Sequence, residues 1–241
     1  MTIVASRKRG EVVIVRRRGT MTRDSASGRL GLWIPAMLRS TLALAWLGCI
    51  AGGLVLLEAY ANRAPSVAPA AGVWPAESRL VTRPGCVSVV LFLHPRCPCS
   101  TATLNELSRV LTRAPAACTI TIAFYAPTSR PAQWGDTALR RQAESLAGVR
   151  VVDDVDAREA GLFGALYSGH VVVYGPEGSL RFSGGITASR GHEGDNLGED
   201  CVLAAMCGRE PPAPATPTFG CEIVAPEAGA PCPLCKEVPE P

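Results

Sequence analysis

The stretch FLHPRCPCSTATLNEL, residues 92–107, joins a buried strand to an amphipathic helix and sets two cysteines at the joint. Upstream, Val87–Leu93 (VSVVLFL) is a continuous apolar run with β-branched residues, the pattern of a strand buried on both faces. Downstream, Ser100–Leu111 places Leu104, Leu107 and Leu111 on one helical face. Cys97 and Cys99 therefore stand at a helix start, where backbone N–H groups and the helix dipole favour a thiolate. The thiolate is the nucleophile of disulfide exchange, so the placement is chemically useful. The plainer reading, two inert structural cysteines, fits apolar interiors better than helix N-termini.

Working outward, the same alternation continues. Thr119–Tyr125 is predicted as a second strand, Thr137–Leu146 as a helix, Val149–Val152 as a third strand and Ala157–Ala165 as a short helix. Val171–Tyr174 and Leu180–Ser183 flank the turn Pro176-Glu177-Gly178, and a last helix runs from about Asn196 to Met206. The order β-α-β-α-β-α-β-β-α predicts an α/β fold: a mixed, mainly parallel sheet with helices on both faces and a closing antiparallel hairpin.

In these residues the chain resembles the thioredoxin-like superfamily, in particular its membrane-anchored extracytoplasmic TlpA-like branch, over about residues 81–190. Cys97-Pro98-Cys99 occupies the place of the family's Cys-x-x-Cys, and GLFGALYSGHVVVYGPEGSLRFSGG resembles the stretch leading through its cis-proline strand and hairpin. The resemblance implies a dithiol–disulfide oxidoreductase in which Cys97 attacks and Cys99 resolves. Two departures stand out. The cysteines are one residue apart, which predicts a strained, comparatively oxidising disulfide. Ser168-Gly169-His170 stands where the family has its cis-proline. Ser100 follows Cys97 by three residues, so Cys-x-x-Ser with a neighbouring thiol is a second way to read the motif. The alternative function is a copper-binding chaperone resembling the Sco type, with Cys97, Cys99 and a histidine, His170 or His192, as soft and imidazole ligands. The leading reading needs no cofactor. A non-catalytic tethered scaffold is the third possibility.

The path of the predicted strands brings His94, His170 and His192 to the end of the sheet that carries the thiols. His170 and His192 are therefore expected nearer to Cys97 than any cysteine of the tail; the alternative for each is an ordinary surface or core histidine. Cys86 and Cys118 each precede a strand, so a bridge between them is open. Cys201 and Cys207, six apart, do not share a helical face. Cys232-Pro233-Leu234-Cys235, with Cys221 upstream, is open to structural bridging, a zinc or copper site, or exchange with Cys97. There is no phosphate loop after Gly184-Gly185 and no Gly-x-Ser-x-Gly elbow. Asp153, Asp154 and Asp156 read as a helix start rather than a cation site.

The rest of the 241-residue chain concerns location. Residues 1–39 carry nine Lys and Arg against two acidic residues, a net +7, which leaves −4 for the rest of a chain whose total is +3. From Ser40 to Leu57, eighteen residues hold no charge, about the minimum for a bilayer span. A basic flank before the span predicts a cytoplasmic arm at 1–39, a transmembrane helix at 40–57 and an exported remainder. Ala59-Tyr60-Ala61 as a cleavage site and Leu47-Gly48-Cys49 as a lipidation site are the rival readings. Translation starting at Met1, Met21 or Met37 is equally compatible. Residues 58–80 read as an Ala/Pro-rich linker, 81–208 as the domain and 209–241 as a Pro-rich tail. Ten cysteines suit disulfide and redox chemistry outside a bacterial-type inner membrane. Expected partners are exported thiol or disulfide proteins, a redox donor and the bilayer. The basic arm is read as a membrane flank, not a nucleic-acid surface.

Overall fold

The computed structural model describes residues 36–63, 69–115 and 118–223. Most of the basic arm, residues 64–68, and the Cys232/Cys235 pair lie outside the described residues.

Ala36–Ala61 is one helix, α1. Its segment Leu38–Ala61 is 24 residues long, apolar and unburied, long enough to cross a membrane by length and composition. At 1.5 Å per residue it extends about 36 Å, against a hydrocarbon core of about 30 Å. It is longer at both ends than the uncharged run, because Arg39 and Glu58 continue the helical turns.

The domain follows as β1 (Val87–Leu93), α2 (Ser100–Arg113), β2 (Cys118–Ala126), a 3-10 turn (Ala132–Gly135), α3 (Ala138–Glu144), β3 (Val149–Val155), α4 (Arg158–Phe163), β4 (His170–Tyr174), β5 (Leu180–Gly185), α5 (Leu197–Met206) and β6 (Ala215–Thr216). The sheet order is β3-β2-β1-β4-β5-β6. β1, β2 and β3 are parallel, β4 and β5 antiparallel to their neighbours, and β6 runs parallel to β5. A central β1 flanked by parallel β2 and antiparallel β4, with α2 crossing between β1 and β2, is the thioredoxin-like arrangement. The predicted order of elements is the observed one, with β6 added from the tail. Capping fixes two helix starts: the side chains of Thr137 and Asn196 accept the N–H groups of Arg140 and Glu199.

β1 is buried along its whole length because both faces are covered. Its Val89, Leu91 and Leu93 face Leu104, Leu107 and Val110 of α2 and Val202 and Met206 of α5. Val90 and Phe92 pack with Phe163 of α4, beside Tyr174 of the neighbouring strand β4. On this second side α4 has only six residues. The flanks complete the cover, and here the expected boundaries need correction.

Trp74, inside the expected linker, packs edge-on against Phe163 (4.9 Å) and Tyr174 (5.3 Å). The Tyr174 hydroxyl donates to the Ala71 carbonyl at 2.7 Å, and Ser78 donates to Glu159 at 2.7 Å. Residues 69–80 thus belong to the domain. So do residues 209–223 of the expected tail: β6 pairs with β5, and Phe219 and Ile223 are buried. Proline forbids a helix there but not an extended segment bonded through its other residues.

Candidate active site

Cys97 follows the C-terminal end of β1 by four residues, in a tight turn before α2. The N–H of Cys97 donates to the His94 carbonyl and that of Ser100 to the Cys97 carbonyl, both at 3.1 Å. Cys99 occupies the N-cap position of α2, and no side chain caps the helix there. Cys97 is buried, with 3% of its surface exposed, and Cys99 is half-buried.

Ser168 ties this turn to the rest of the sheet. Its hydroxyl accepts the His94 N–H at 2.8 Å and shares a 2.7 Å hydrogen bond with the Ser100 hydroxyl. Its own N–H donates to the Cys221 carbonyl at 2.8 Å, and Ile223 N–H donates to the Leu166 carbonyl at 2.8 Å. Residues 221–223 therefore lie along residues 166–168, closed by the antiparallel bridge Tyr167–Glu222. Gly220 makes this approach possible: a Cβ there would stand 1.8 Å from the Ser168 carbonyl oxygen. The guanidinium of Arg190 donates to the Gly220 carbonyl at 3.0 Å.

The result is a third cysteine at the site. The N–H of Cys221 donates to Cys97 Sγ at 3.4 Å, across 124 residues of chain. The Cys97 pKa is pushed far below the ordinary thiol range, first by a hydrogen bond from the Cys221 thiol and then by one from Cys99. Burial opposes the shift, and the Ser100 hydroxyl and the Cys221 N–H add to it. Cys99 moves the other way, because it donates its proton to Cys97, is partly buried and faces the Cys97 charge; Arg190 opposes that rise. The arrangement holds Cys97 as the thiolate and Cys99 as the protonated neighbour.

The histidines divide. His94 is buried beside the motif, with its ring 5.4 Å from Trp134 and 5.7 Å from Tyr125, and its Nδ1 accepts the Arg96 N–H at 3.2 Å. Burial lowers its pKa. His170 opens β4 opposite Phe92, at the expected end of the sheet, but its Nε2 is bonded to the Ser183 hydroxyl at 2.8 Å. Burial pushes its pKa down to about 4. His192 is exposed, in a loop tied to α2 through Asn105–Glu193 and Gly194–Glu106 hydrogen bonds of 2.8 Å.

The expectation that His170 and His192 approach Cys97 more closely than any tail cysteine is therefore overturned by Cys221, which is in direct contact. The strands do bring His170 to the end of the sheet that carries the thiols, but residues 220–223 fold back over that end and put Cys221 there first. Among the described residues no group of three or more His, Cys, Asp or Glu side chains is arranged to hold a metal ion.

The sequence points to Cys97, Cys99, His170 and Ser100; it gives Ser168 and Arg190 no individual role at the thiols, and Cys221 none apart from the Cys232/Cys235 pair of the tail. The available signal was small: a glycine directly before a cysteine, in a segment otherwise dominated by proline. Beyond the motif, a cleft of about 520 Å³ opens at the same end of the sheet, lined by Tyr125, Pro127, Arg130, Trp134 and Asp153. Arg96, one residue before Cys97, stacks at 5.4 Å on Trp134 of that cleft.

No protein-family model matches the chain, and no curated protein matches it. Solved structures do resemble it. An uncharacterized conserved protein from Geobacillus kaustophilus is 18% identical, with 70% of this chain and 95% of that one covered and a TM-score of 0.49. A hypothetical protein from Sinorhizobium meliloti is 18% identical, with 69% and 96% covered and a TM-score of 0.48. A secreted Mycobacterium tuberculosis disulfide oxidoreductase, described as homologous to E. coli DsbE, is 15% identical, with 52% and 83% covered and a TM-score of 0.39.

Proposed function

We propose that the protein is a membrane-tethered thiol–disulfide oxidoreductase acting on exported thiol or disulfide proteins. Cys97 is the attacking thiolate and Cys99 a resolving thiol. The observation that carries the reading is the environment of Cys97 Sγ: it sits before a helix start and collects hydrogen bonds from Cys221, Cys99 and Ser100, which hold it ionised. In the reducing direction, Cys97 attacks one sulfur of a substrate disulfide, and the other sulfur leaves as a thiolate. Cys99 then loses its proton and attacks Cys97 Sγ of the mixed disulfide, which releases the substrate reduced by two electrons and leaves the protein oxidised by two. A dithiol redox donor restores it, and the oxidising direction is the reverse.

Ser100 and Ser168 position the turn rather than react. His170, bonded to Ser183, supports the sheet behind the site. The basic arm before α1 favours an N-terminus in the cytoplasm and the domain on the outer side of a bacterial-type inner membrane, with the bilayer reached through the span.

The test is turnover. Full-length protein in detergent is expected to accelerate reduction of insulin disulfides by dithiothreitol, and C97S to abolish the acceleration. Wild-type protein with no activity, and no covalent capture of a disulfide on Cys97, would end this reading.

A further inference from the structure

Cys97 has two cysteine neighbours, not one, and they are not equivalent. Cys99 is bound to it through a single intervening residue, so a Cys97–Cys99 disulfide closes a small ring whose geometry the backbone must strain to meet. Cys221 comes from a separate segment, 124 residues away, and carries no such constraint. Its position is built rather than incidental. Its carbonyl is held by Ser168, the carbonyl of Gly220 by Arg190, and Phe219 and Ile223 on either side are buried. The bare α-carbon of Gly220 admits the contact with Ser168. Nothing about a mere cover for the sheet requires a thiol facing the nucleophile; an alanine would fill the same place.

We infer that Cys221 is a third redox thiol of the site, which closes a disulfide with Cys97. The inference rests on the oxidoreductase reading and deepens it. When Cys97 is in a mixed disulfide with a substrate, or in a disulfide with Cys99, Cys221 gives up its proton to solvent or to the departing sulfur and attacks Cys97 Sγ. The Cys221–Cys97 bond forms and the substrate or Cys99 sulfur leaves as a thiolate. From Cys99 the exchange is redox-neutral; from the substrate, two electrons pass to it and the protein is left oxidised. An external dithiol returns both cysteines to the reduced state. The disulfide thus moves from the motif to the segment that covers it, and Cys99 is left free beside Arg190.

The experiment uses full-length protein in detergent, treated with glutathione disulfide, quenched in acid and mapped by peptide mass spectrometry. In C99S a Cys97–Cys221 link is expected, with little glutathione on Cys97. In C99S/C221S, where that exit is removed, glutathione on Cys97 is expected to rise at least tenfold. Equal glutathione on Cys97 in both variants overturns the inference, as does Cys221 linked to a different cysteine in C99S. Insulin turnover of the wild type separates the two levels. Turnover without a Cys97–Cys221 link in C99S removes the third thiol and leaves the oxidoreductase standing. No turnover, and no glutathione on Cys97 in C99S/C221S, removes both.

Discussion

Replacing Gly220 with alanine places a methyl carbon 1.8 Å from the Ser168 carbonyl oxygen and 2.7 Å from its carbonyl carbon. Both are backbone atoms, so no side-chain rotation relieves the overlap. Residues 219–223 must move away from 166–168. Two backbone hydrogen bonds of 2.8 Å oppose that movement, each contributing about 0.5–1.5 kcal/mol. They are outweighed by an overlap of this depth, and the segment is expected to lift while the sheet beneath stays folded. Lifting withdraws the Cys221 N–H and thiol from Cys97. A hydrogen bond to a charged group contributes about 1.5–3 kcal/mol. Losing both should therefore raise the Cys97 pKa by about 2–4 units, at 1.36 kcal/mol per unit. Lifting also uncovers a residue, Cys97, that is now 3% exposed.

The assay is the rate of iodoacetamide alkylation at Cys97 in the reduced full-length protein as a function of pH. G220A should show a faster plateau at high pH and a midpoint about 2–4 units higher than the wild type. A variant with the same plateau and the same midpoint would refute both the close approach and the role of the tail in ionising Cys97.

Two further outcomes are expected. His170 has a folded-state pKa of about 4 against an ordinary 6.5, so on acidification the unfolded chain takes up the proton first. Its contribution to stability is full above pH 6.5 and lost as pH falls toward 4, at most about 3 kcal/mol; H170Q should flatten that part of the pH dependence in urea unfolding, and an unchanged slope would count against a buried neutral imidazole. For topology, a periplasmic reporter joined after Ala61 should be active and a cytoplasmic one silent; the opposite result sinks both the orientation and the oxidising compartment.

Much of the fold was legible in local pattern. The apolar run of β1, the Leu104–Leu107 face of α2 and the Pro-Glu-Gly turn each follow from hydrophobic period or turn chemistry, and each element lies within a few residues of its expected place. The thiol pair was legible because a strand-to-helix junction is a local event. What escaped was long-range. Pro-rich composition marks residues 209–223 as non-helical but does not say that they return to the sheet, and the same holds for Trp74 in an Ala/Pro-rich stretch. The second face of the sheet, covered by only six helical residues in α4, needed these flanks. That need appears only when the lengths of all the elements are set against the area of one sheet face. Cys221 was hidden for the same reason, since its partner is fixed by where the tail docks.

The cysteines of the domain are separated by the direction of the strands. Cys118 pairs with Val87 at the start of the parallel pair, and Cys86 stands one residue earlier, whereas Cys97 follows the far end. Six strand steps at about 3.3 Å each put roughly 20 Å of sheet between the two groups. Cys207, at the end of α5, joins the lower group, since its charge and that of Cys86 act on Cys118. Burial first, then these two neighbours, raises the Cys118 pKa, the reverse of what happens at Cys97. A thiol held protonated is a poor nucleophile, so the lower group is suited to a lasting structural bridge and the upper group to exchange. Peptide mapping of the oxidised full-length protein is expected to find Cys118 linked to Cys86 or Cys207 and never to Cys97 or Cys99. C118A should leave insulin turnover at the wild-type rate while lowering the temperature at which the oxidised protein unfolds. Loss of turnover in C118A, in protein that still melts cooperatively, would mean that the two ends of the sheet are chemically connected after all.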